Sequence, residues 1–389
     1  MISPAIYSDL RIIRMDYGEF KENGLEIDIQ MALGARYLVQ ADIGNFFPSV
    51  YSHSIDWALR GKESAKNNQR QGWEAELDKY ICDCAHGESK GLHIGPAVSN
   101  IISEIVLQKV DEKLSGYRYV RFVDDYRMFC ETRSEAEEFL RELQYHANEY
   151  RLALNTRKSR IVNIEKGFES NWIFDVRSFV PRVFKSSQAV EYLRRLEVMA
   201  RDNPDASVLK FGVKTYINGT DLPDGVSVAV LGELVRISSF NPHILPNVSC
   251  AIAGMDAFAL FDASRWAVPT LEKQLRQAAE NRETDTVLWI CYILVRQLAE
   301  KIDEKCIEAI VANGDDLTLL GLLHLVPESV DRIVAHVNSS IYAEPQDYDS
   351  HWLIRYELFR RGANVSLCGE RERQWMSVLK NSKVKFTQS

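Results

Sequence analysis

The chain has 389 residues, 46% hydrophobic and 26% charged, with 20 glycines and 11 prolines, which excludes collagen-like, low-complexity and largely disordered classes. Lys and Arg number 47 against 55 Asp and Glu, a net charge of −8. The surface as a whole therefore lacks the cationic character of a free-standing nucleic-acid binder, while a local basic groove stays open. Seven scattered cysteines, with no recurring CxxC and no HExxH, argue against a disulfide framework or a zinc ribbon. The N-terminus lacks the basic-then-apolar pattern of a signal peptide. The longest apolar runs, such as Leu288–Val295, fall short of the roughly 20 residues that cross a bilayer, so the expectation is a reduced, soluble, cytoplasmic protein without a membrane partner.

The length leaves room for two or three domains. In the first part of the chain, residues 39–43, 119–123 and 126–130 read as buried strands. A long helical stretch from Gly95 to Leu114 lies between the first two. Ser134 and Glu137 form an S-x-x-E capping box, opening a helix through Ala136, Phe139, Leu140 and Leu143 to Tyr150. Beyond the turn-rich, aromatic stretch Gly167–Pro181, strand signals nearly vanish. Helical periodicity takes over in Val190–Arg201, Leu231–Ser238, Leu271–Asn281, Thr286–Ile302, Leu317–His324 and Trp352–Arg361. The fold class expected is α+β, followed by an all-α region of stacked helix pairs resembling a HEAT-like solenoid, although no strict period is legible.

The chemistry sits in the first part. Asp42 ends a strand and precedes Ile43-Gly44-Asn45-Phe46-Phe47, and Asp124-Asp125 lies in an apolar setting between two strands. A tight turn between those strands would place the pair at its tip, with only one of two adjacent residues aimed fully into a site. Carboxylates gathered from both motifs repel one another unless divalent cations neutralise them. Two Mg²⁺ ions roughly 3.5–4 Å apart would activate an attacking hydroxyl and stabilise a leaving pyrophosphate. Either acidic motif alone reads equally well as a capped turn or a surface hairpin.

Order and spacing decide between these. Gly91-Leu92-His93-Ile94-Gly95-Pro96-Ala97-Val98-Ser99-Asn100 comes between the acidic motifs, and Leu152-Ala153-Leu154-Asn155-Thr156-Arg157-Lys158 follows them. In this order the four segments resemble motifs A, B, C and D of a reverse transcriptase palm, over residues 38–164. The resemblance implies a right-hand polymerase palm with Asp42 and Asp124 as the main ligands of two Mg²⁺ ions, with Mn²⁺ as a substitute. Asp125 would be a supporting carboxylate at the primer end. Phe47 would stack under the sugar and exclude a 2′-hydroxyl, although a core aromatic is the plainer reading, which Phe46 also fits. Gly91 and Gly95 would admit the template and incoming base pair, and Lys158 would protonate or neutralise pyrophosphate. Taken alone, Lys158 reads as a solvated surface lysine. Arg151, Arg157, Lys158 and Arg160 supply the local positive charge that the net charge conceals.

A narrower likeness follows. Tyr51-Ser52-His53-Ser54-Ile55-Asp56-Trp57-Ala58-Leu59-Arg60-Gly61-Lys62 resembles a stretch of bacterial abortive-infection (Abi) and defence-associated reverse transcriptases. Those antiphage enzymes carry a helical, HEAT-like C-terminal region, which Tyr348–Leu358 also resembles. His53 and Trp57 are expected to pack the fold. The resemblance implies deoxynucleotide substrates, a DNA product, and a non-coding RNA, partner protein or second copy as partners. The domains then read as 1–37, a remnant of fingers; 38–165, the palm; 166–185, a connection; and 186–389, a helical thumb and HEAT-like region.

Two departures stand out. Ile94 occupies the position where most relatives carry Gln, and His93 that of a Pro, which points to unusual template use or substrate choice. Only about 41 residues precede Asp42, with Arg11, Arg14 and Lys21 too sparse to form a triphosphate grip. The fingers would then lie outside this sequence, come from another chain, or be reduced. A GGDEF-type cyclase lacks support because Phe122-Val123 replaces its Gly-Gly. A degenerate palm acting as a scaffold for phage or host protein is the principal alternative. A retron or intron enzyme is a third, the latter disfavoured by the helical C-terminal half.

Overall fold

The computed structural model describes residues 26–67, 71–85, 87–166, 171–180, 185–204, 207–219, 226–339, 351–367 and 369–387. Arg11, Arg14, Lys21 and Tyr348–Ser350 lie outside these residues. The chain divides into two units, Met1–Ser170 and Asn171–Ser389.

In the first unit a helix over 26–32 leads into β1 (Tyr37–Asp42). A single turn α1 (Phe46–Ser49) and helices α2 (His53–Arg60), α3 (Lys62–Asn67), α4 (Trp73–Cys84) and α5 (Ala97–Lys113) follow. Then come β2 (Tyr119–Phe122), β3 (Asp125–Cys130), α6 (Arg133–Glu149) and β4 (Arg160–Asn163). The four strands form one antiparallel sheet in the order β2-β3-β1-β4. Strand alternation divides its side chains into two faces. Val39, Ala41, Tyr126 and Met128 point into a core closed by Val106 and Val110 of α5 and by Phe139 and Leu143 of α6. Leu38 and Phe129, on the other face, pack with Met31, Val120 and Val162, and Gln40, Arg127 and Arg160 share that face nearer its acidic end.

The expected strands and the α5 helix match the observed elements to within two residues, but β4 has no counterpart in the sequence reading. Its segment, Arg160-Ile161-Val162-Asn163, is too short and too charged at its start to show a clean period of two. The cap of α6 is corrected. Thr132, not Ser134, is the N-cap, its hydroxyl accepting from the amide of Glu135 at 3.2 Å. Thr132-Arg-Ser-Glu135 satisfies the same T-x-x-E pattern two residues earlier. Glu137 instead pairs with Arg133 at 2.9 Å across one helical turn.

The second unit is all helical among the described residues. It contains α7 (Asn171–Ser178), α8 (Ser186–Asp202), α9 (Val208–Gly219), α10 (Val228–Ser238), α11 (Leu245–Ala253) and α12 (Ala257–Glu280). These are followed by α13 (Thr284–Tyr292), α14 (Glu304–Asn313), α15 (Asp316–Leu325), α16 (Val330–Val337), α17 (Trp352–Arg361) and α18 (Glu370–Asn381). Helices two apart in sequence are neighbours. One layer runs α8-α10-α12-α14-α16 and the other α7-α9-α11-α13-α15-α17, with α8 and α9, α10 and α11, α12 and α13, α14 and α15, and α16 with both α15 and α17 packed across the layers. Leu193, Leu231, Leu271, Ile290, Leu319 and Ile354 belong to the continuous core between them. The expected helix Thr286–Ile302 stops at Tyr292, where a five-residue π turn (Ile293–Gln297) follows. Ala299 then takes a left-handed φ of 54°, which no helix can continue.

Candidate active site

Asp42 closes β1 and Asp125 opens β3, and the register sets them directly opposite each other. Side chains so placed share a face with Cβ atoms roughly 4.5–5.5 Å apart, an arrangement that is unfavourable for like charges. Asp124 stands between β2 and β3 in a two-residue loop, because Phe122 already pairs with Asp125. The other loop residue, Val123, has φ 54°, a region that β-branched residues seldom enter and that costs of order 1–3 kcal/mol. Arg121 holds the loop by donating from Nη1 to the Val123 carbonyl at 2.8 Å.

The same guanidinium binds Glu104 at 2.8 and 2.9 Å and Asp111 at 2.7 and 2.9 Å. Tyr119 also donates to Asp111, at 2.7 Å. The hairpin tip is therefore fastened to α5, the helix opened by the Gly91–Asn100 segment. The sequence reading passed over Arg121. Its signal was available: Glu104 and Asp111 are seven apart on one helix face, and Arg121 lies on the adjacent strand.

Loop 151–159 is fastened to the extension of β1. The Gly44 amide donates to the Ala153 carbonyl at 2.8 Å, the Asn155 amide to the Asp42 carbonyl at 2.7 Å, and the Asp42 amide to Ser159 Oγ at 3.3 Å. These bonds bring Lys158 Nζ to 3.2 Å from Asp42 Oδ2. Asp42 is buried and Lys158 largely exposed, so the lysine covers the carboxylate from the solvent side.

The electrostatics follow from this crowding. Burial pushes the Asp124 carboxyl above its ordinary value; its own backbone hydrogen bond opposes this, Asp42 adds to it, and Lys158 and Arg121 oppose it. Asp125 keeps a solvent-exposed edge, yet desolvation, then the charges of Asp124 and Asp42, push it up to about 6 against the pull of Lys158. A cation near these groups would relieve the repulsion.

The remaining expected residues border the tip. Phe46 is buried in the core and Phe47 half-buried beside it, ring centroids 5.2 Å apart. The Phe47 carbonyl accepts from the Leu92 amide at 2.8 Å, and the Val50 carbonyl from Gly91 at 2.8 Å. Gly91 has φ 105° and Gly95 φ 117°, conformations that suit glycine. At Gly91 a Cβ would also meet the Pro48 carbonyl at 3.4 Å. Ile94 is 75% exposed, an apolar side chain presented to solvent. His53 Nδ1 is hydrogen-bonded to the buried carboxylate of Asp78, and Ser52 Oγ lies 3.0 Å from Cys82 Sγ. Arg151 stacks over Tyr51 at 4.9 Å and Lys62 over Trp57 at 4.5 Å, so this segment ties α2 to the end of α6.

Among the described residues no three His, Cys, Asp or Glu side chains converge as a ready metal-binding group. Mg²⁺ seldom needs such a cage, since it binds through one or two carboxylates together with substrate phosphates and water. The buried Asp42, the destabilised Asp124 and the surrounding charge repulsion fit that donor chemistry. No described helix is long and apolar enough to cross a membrane.

Residues 15–193 match the family model of reverse transcriptases (RNA-dependent DNA polymerases). Over these residues the chain is similar to that family, whose reaction is RNA-directed nucleotidyl transfer into DNA. Among solved structures, apo telomerase from Candida tropicalis is similar over 81% of this chain, with 11% identity and a TM-score of 0.29. The chain spans 55% of that protein's length. No curated protein matches the chain.

Proposed function

We propose that the domain at residues 15–193 polymerises deoxynucleotides onto a 3′ or protein hydroxyl, with an RNA template or without one, in bacterial antiphage defence. The observation that carries the polymerase reading is the in-register opposition of Asp42 and Asp125, with Asp124 in the adjoining turn and Lys158 3.2 Å from Asp42. Asp42 and Asp124 would hold two Mg²⁺ ions, or Mn²⁺, with Asp125 in support. When bound, the metals supply charge neutralisation and a more acidic attacking hydroxyl. Arg121 keeps the turn in place by tying it to α5. Lys158, exposed and hinged on loop 151–159, leaves Asp42 to meet the departing pyrophosphate as a proton donor or counter-charge.

Phe47 borders the sugar position and favours deoxynucleotides, while the left-handed backbones of Gly91 and Gly95 admit the base pair. Ile94 presents an apolar surface to the base instead of a hydrogen-bonding amide, which weakens dependence on a template base. The defence role rests on the Tyr51–Lys62 stretch and on a helical unit whose helices stack in two layers. We read that unit, residues 186–389, as a thumb and HEAT-like array that binds product, a non-coding RNA, a partner protein or a second copy. Residues 38–165 are read as the palm, 166–185 as a connection and 1–37 as a remnant of fingers.

The test supplies each dNTP with Mg²⁺ or Mn²⁺ to the purified chain, then treats the products with nuclease and protease before sequencing. Wild type is compared with the double variant Asp124→Asn/Asp125→Asn. Metal-dependent incorporation confined to wild type supports the reading; equal incorporation in both overturns it. Products that persist after all RNA is removed identify untemplated synthesis. Loss of plaque protection by the same variant in a bacterial host tests the defence role.

A further inference from the structure

The open face of the palm sheet is organised in rungs. Nearest the hairpin tip lie Asp42 and Asp125. Two residues back along the strands, Gln40 pairs with Arg127 on one side and Arg160 on the other. Two residues further, Leu38 pairs with Phe129 and Val162, and this apolar rung packs with Met31, Ala32 and Ala35. Alternation puts all three rungs on one face. An acidic rung, a basic rung and a covered apolar rung thus succeed one another, each about 7 Å from the next.

The basic rung is built but not consumed. Arg160 is exposed, its Nε donating to Gln40 Oε1 at 2.8 Å, which leaves the two terminal nitrogens of its fork. Arg127 pairs through Nη1 with Asp28, and its Nε is buried with no hydrogen-bond partner among the described residues. Gln40, between them, orients Arg160. Two guanidiniums flanking a central amide suit a phosphate, whose oxygens accept bidentate bonds from such forks.

We propose that Gln40, Arg127 and Arg160 form a phosphate-binding rung. It would hold the phosphodiester immediately behind the reacting 3′ hydroxyl of the nucleic-acid strand. The proposal rests on the polymerase reading for the place of that hydroxyl at Asp42 and Asp124. The spacing of the rungs is on the scale of one nucleotide. A strand leaving the acidic tip would be repelled by it and drawn to the next rung on this face. The apolar rung, already covered, ends the track. These are positioning residues: the reacting atoms lie at the acidic rung.

The experiment uses the full chain and a fluorescent single-stranded DNA oligonucleotide, its anisotropy titrated in Mg²⁺ at several salt concentrations. Arg160→Ala and Arg127→Ala are each expected to weaken binding about 3–10-fold. Each should also flatten the slope of log K against log salt by about 0.7. Arg→Lys at the same position recovers part of the slope, which a merely structural role would not do. The KM for dNTP stays unchanged. Because Arg127→Ala also strands Asp28, the exposed Arg160 provides the variant free of folding effects.

Binding and slope unchanged in folded Arg160→Ala and Arg127→Ala proteins overturn the proposal. A raised KM for dNTP with unaltered oligonucleotide binding also overturns it, in favour of the triphosphate as the bound phosphate. If the variants lose binding while wild type incorporates nothing, the rung stands and the polymerase reading falls. If wild type incorporates and the variants bind as well as wild type, only the rung falls.

Discussion

Glu357 in α17 and Asp125 in β3 carry the same functional group into opposite surroundings. Glu357 is fully buried, yet Arg360 binds it at 2.6 and 2.9 Å, the Phe386 amide at 2.8 Å and the Thr387 hydroxyl at 3.3 Å. Burial alone would push its carboxyl up, but these donors outweigh burial and hold it below the ordinary glutamate value. Glu233, bridged by Arg194 and Arg236 at 2.9 Å, is lowered in the same way. Asp124 and Asp125 are raised instead, first by burial, to which the acids set against them by the sheet register and the tight turn add; the opposing groups, Lys158 among them, offset only part of this. A carboxylate that serves the fold is met by its cations within the fold. One left short of them has its counter-charge to find elsewhere, as a metal-binding site would.

The comparison is broken most directly by removing one charge on each side. Asp124→Asn is expected to lower incorporation by 10³-fold or more, about the scale of losing a principal electrostatic stabiliser. The metal-free protein should lose no stability, its Tm rising by ~1–3 °C as repulsion is relieved. Glu357→Ala should do the reverse. It strands Arg360 in a buried setting and costs about 3–5 kcal/mol, measured as a fall in the urea midpoint. Activity per folded molecule should stay near wild type. A destabilised Asp124→Asn protein, or a fully stable Glu357→Ala protein, would erase the distinction.

The lysine that offsets the acids gives a smaller and mixed effect. Lys158→Gln is expected to slow incorporation about 100-fold if it serves as proton donor. Its ion pair with Asp42 is mostly exposed, so the urea midpoint should move by less than ~1 kcal/mol. Single-turnover rates would place the loss in the chemical step. A rate equal to wild type would reduce Lys158 to a solvated lysine that happens to face the site.

What could be read from residues alone follows the same division. The acids of the hairpin were legible because each stands beside strand-forming apolar residues, and Lys158 because a recognisable segment carries it. Arg121 was passed over because its role is a contact between elements, with Glu104 and Asp111 on the preceding helix, although their seven-residue spacing carried a signal. The Gln40–Arg127–Arg160 rung was hidden for the same reason: it is a property of register across three strands, one of them β4, which the sequence did not announce. In the helical unit, periodicity disclosed α8, α10, α15 and α17, the second half of α12 and the body of α13. It missed α9, α11, α14 and α16, which at 8–12 residues span too few turns to make a period plain. The layering itself follows from helix contacts that no single segment encodes.

The finest separation of the two classes of carboxylate is by pH, in the absence of metal. For Asp125 the folded value, about 6, lies above the ordinary 3.8, so the folded state holds the proton more tightly. That contribution to stability is fully present below pH ~4 and is lost as pH rises through about 6. The groups facing it are Asp42, Asp124 and Lys158, of which Asp124 shifts in the same sense. Glu357 runs the other way: its lowered value stabilises the fold above the ordinary glutamate range, and that support is lost as pH falls through the lowered value. In a chelator, wild type should therefore lose ~1–2 °C of Tm relative to Asp125→Asn between pH 4 and 6.5, whereas Glu357→Gln should differ from wild type most at neutral pH and converge with it in acid. Parallel wild-type and Asp125→Asn curves would mean that Asp125 titrates as an ordinary surface acid, and the crowding of the tip would then fall on Asp42 and Asp124 alone.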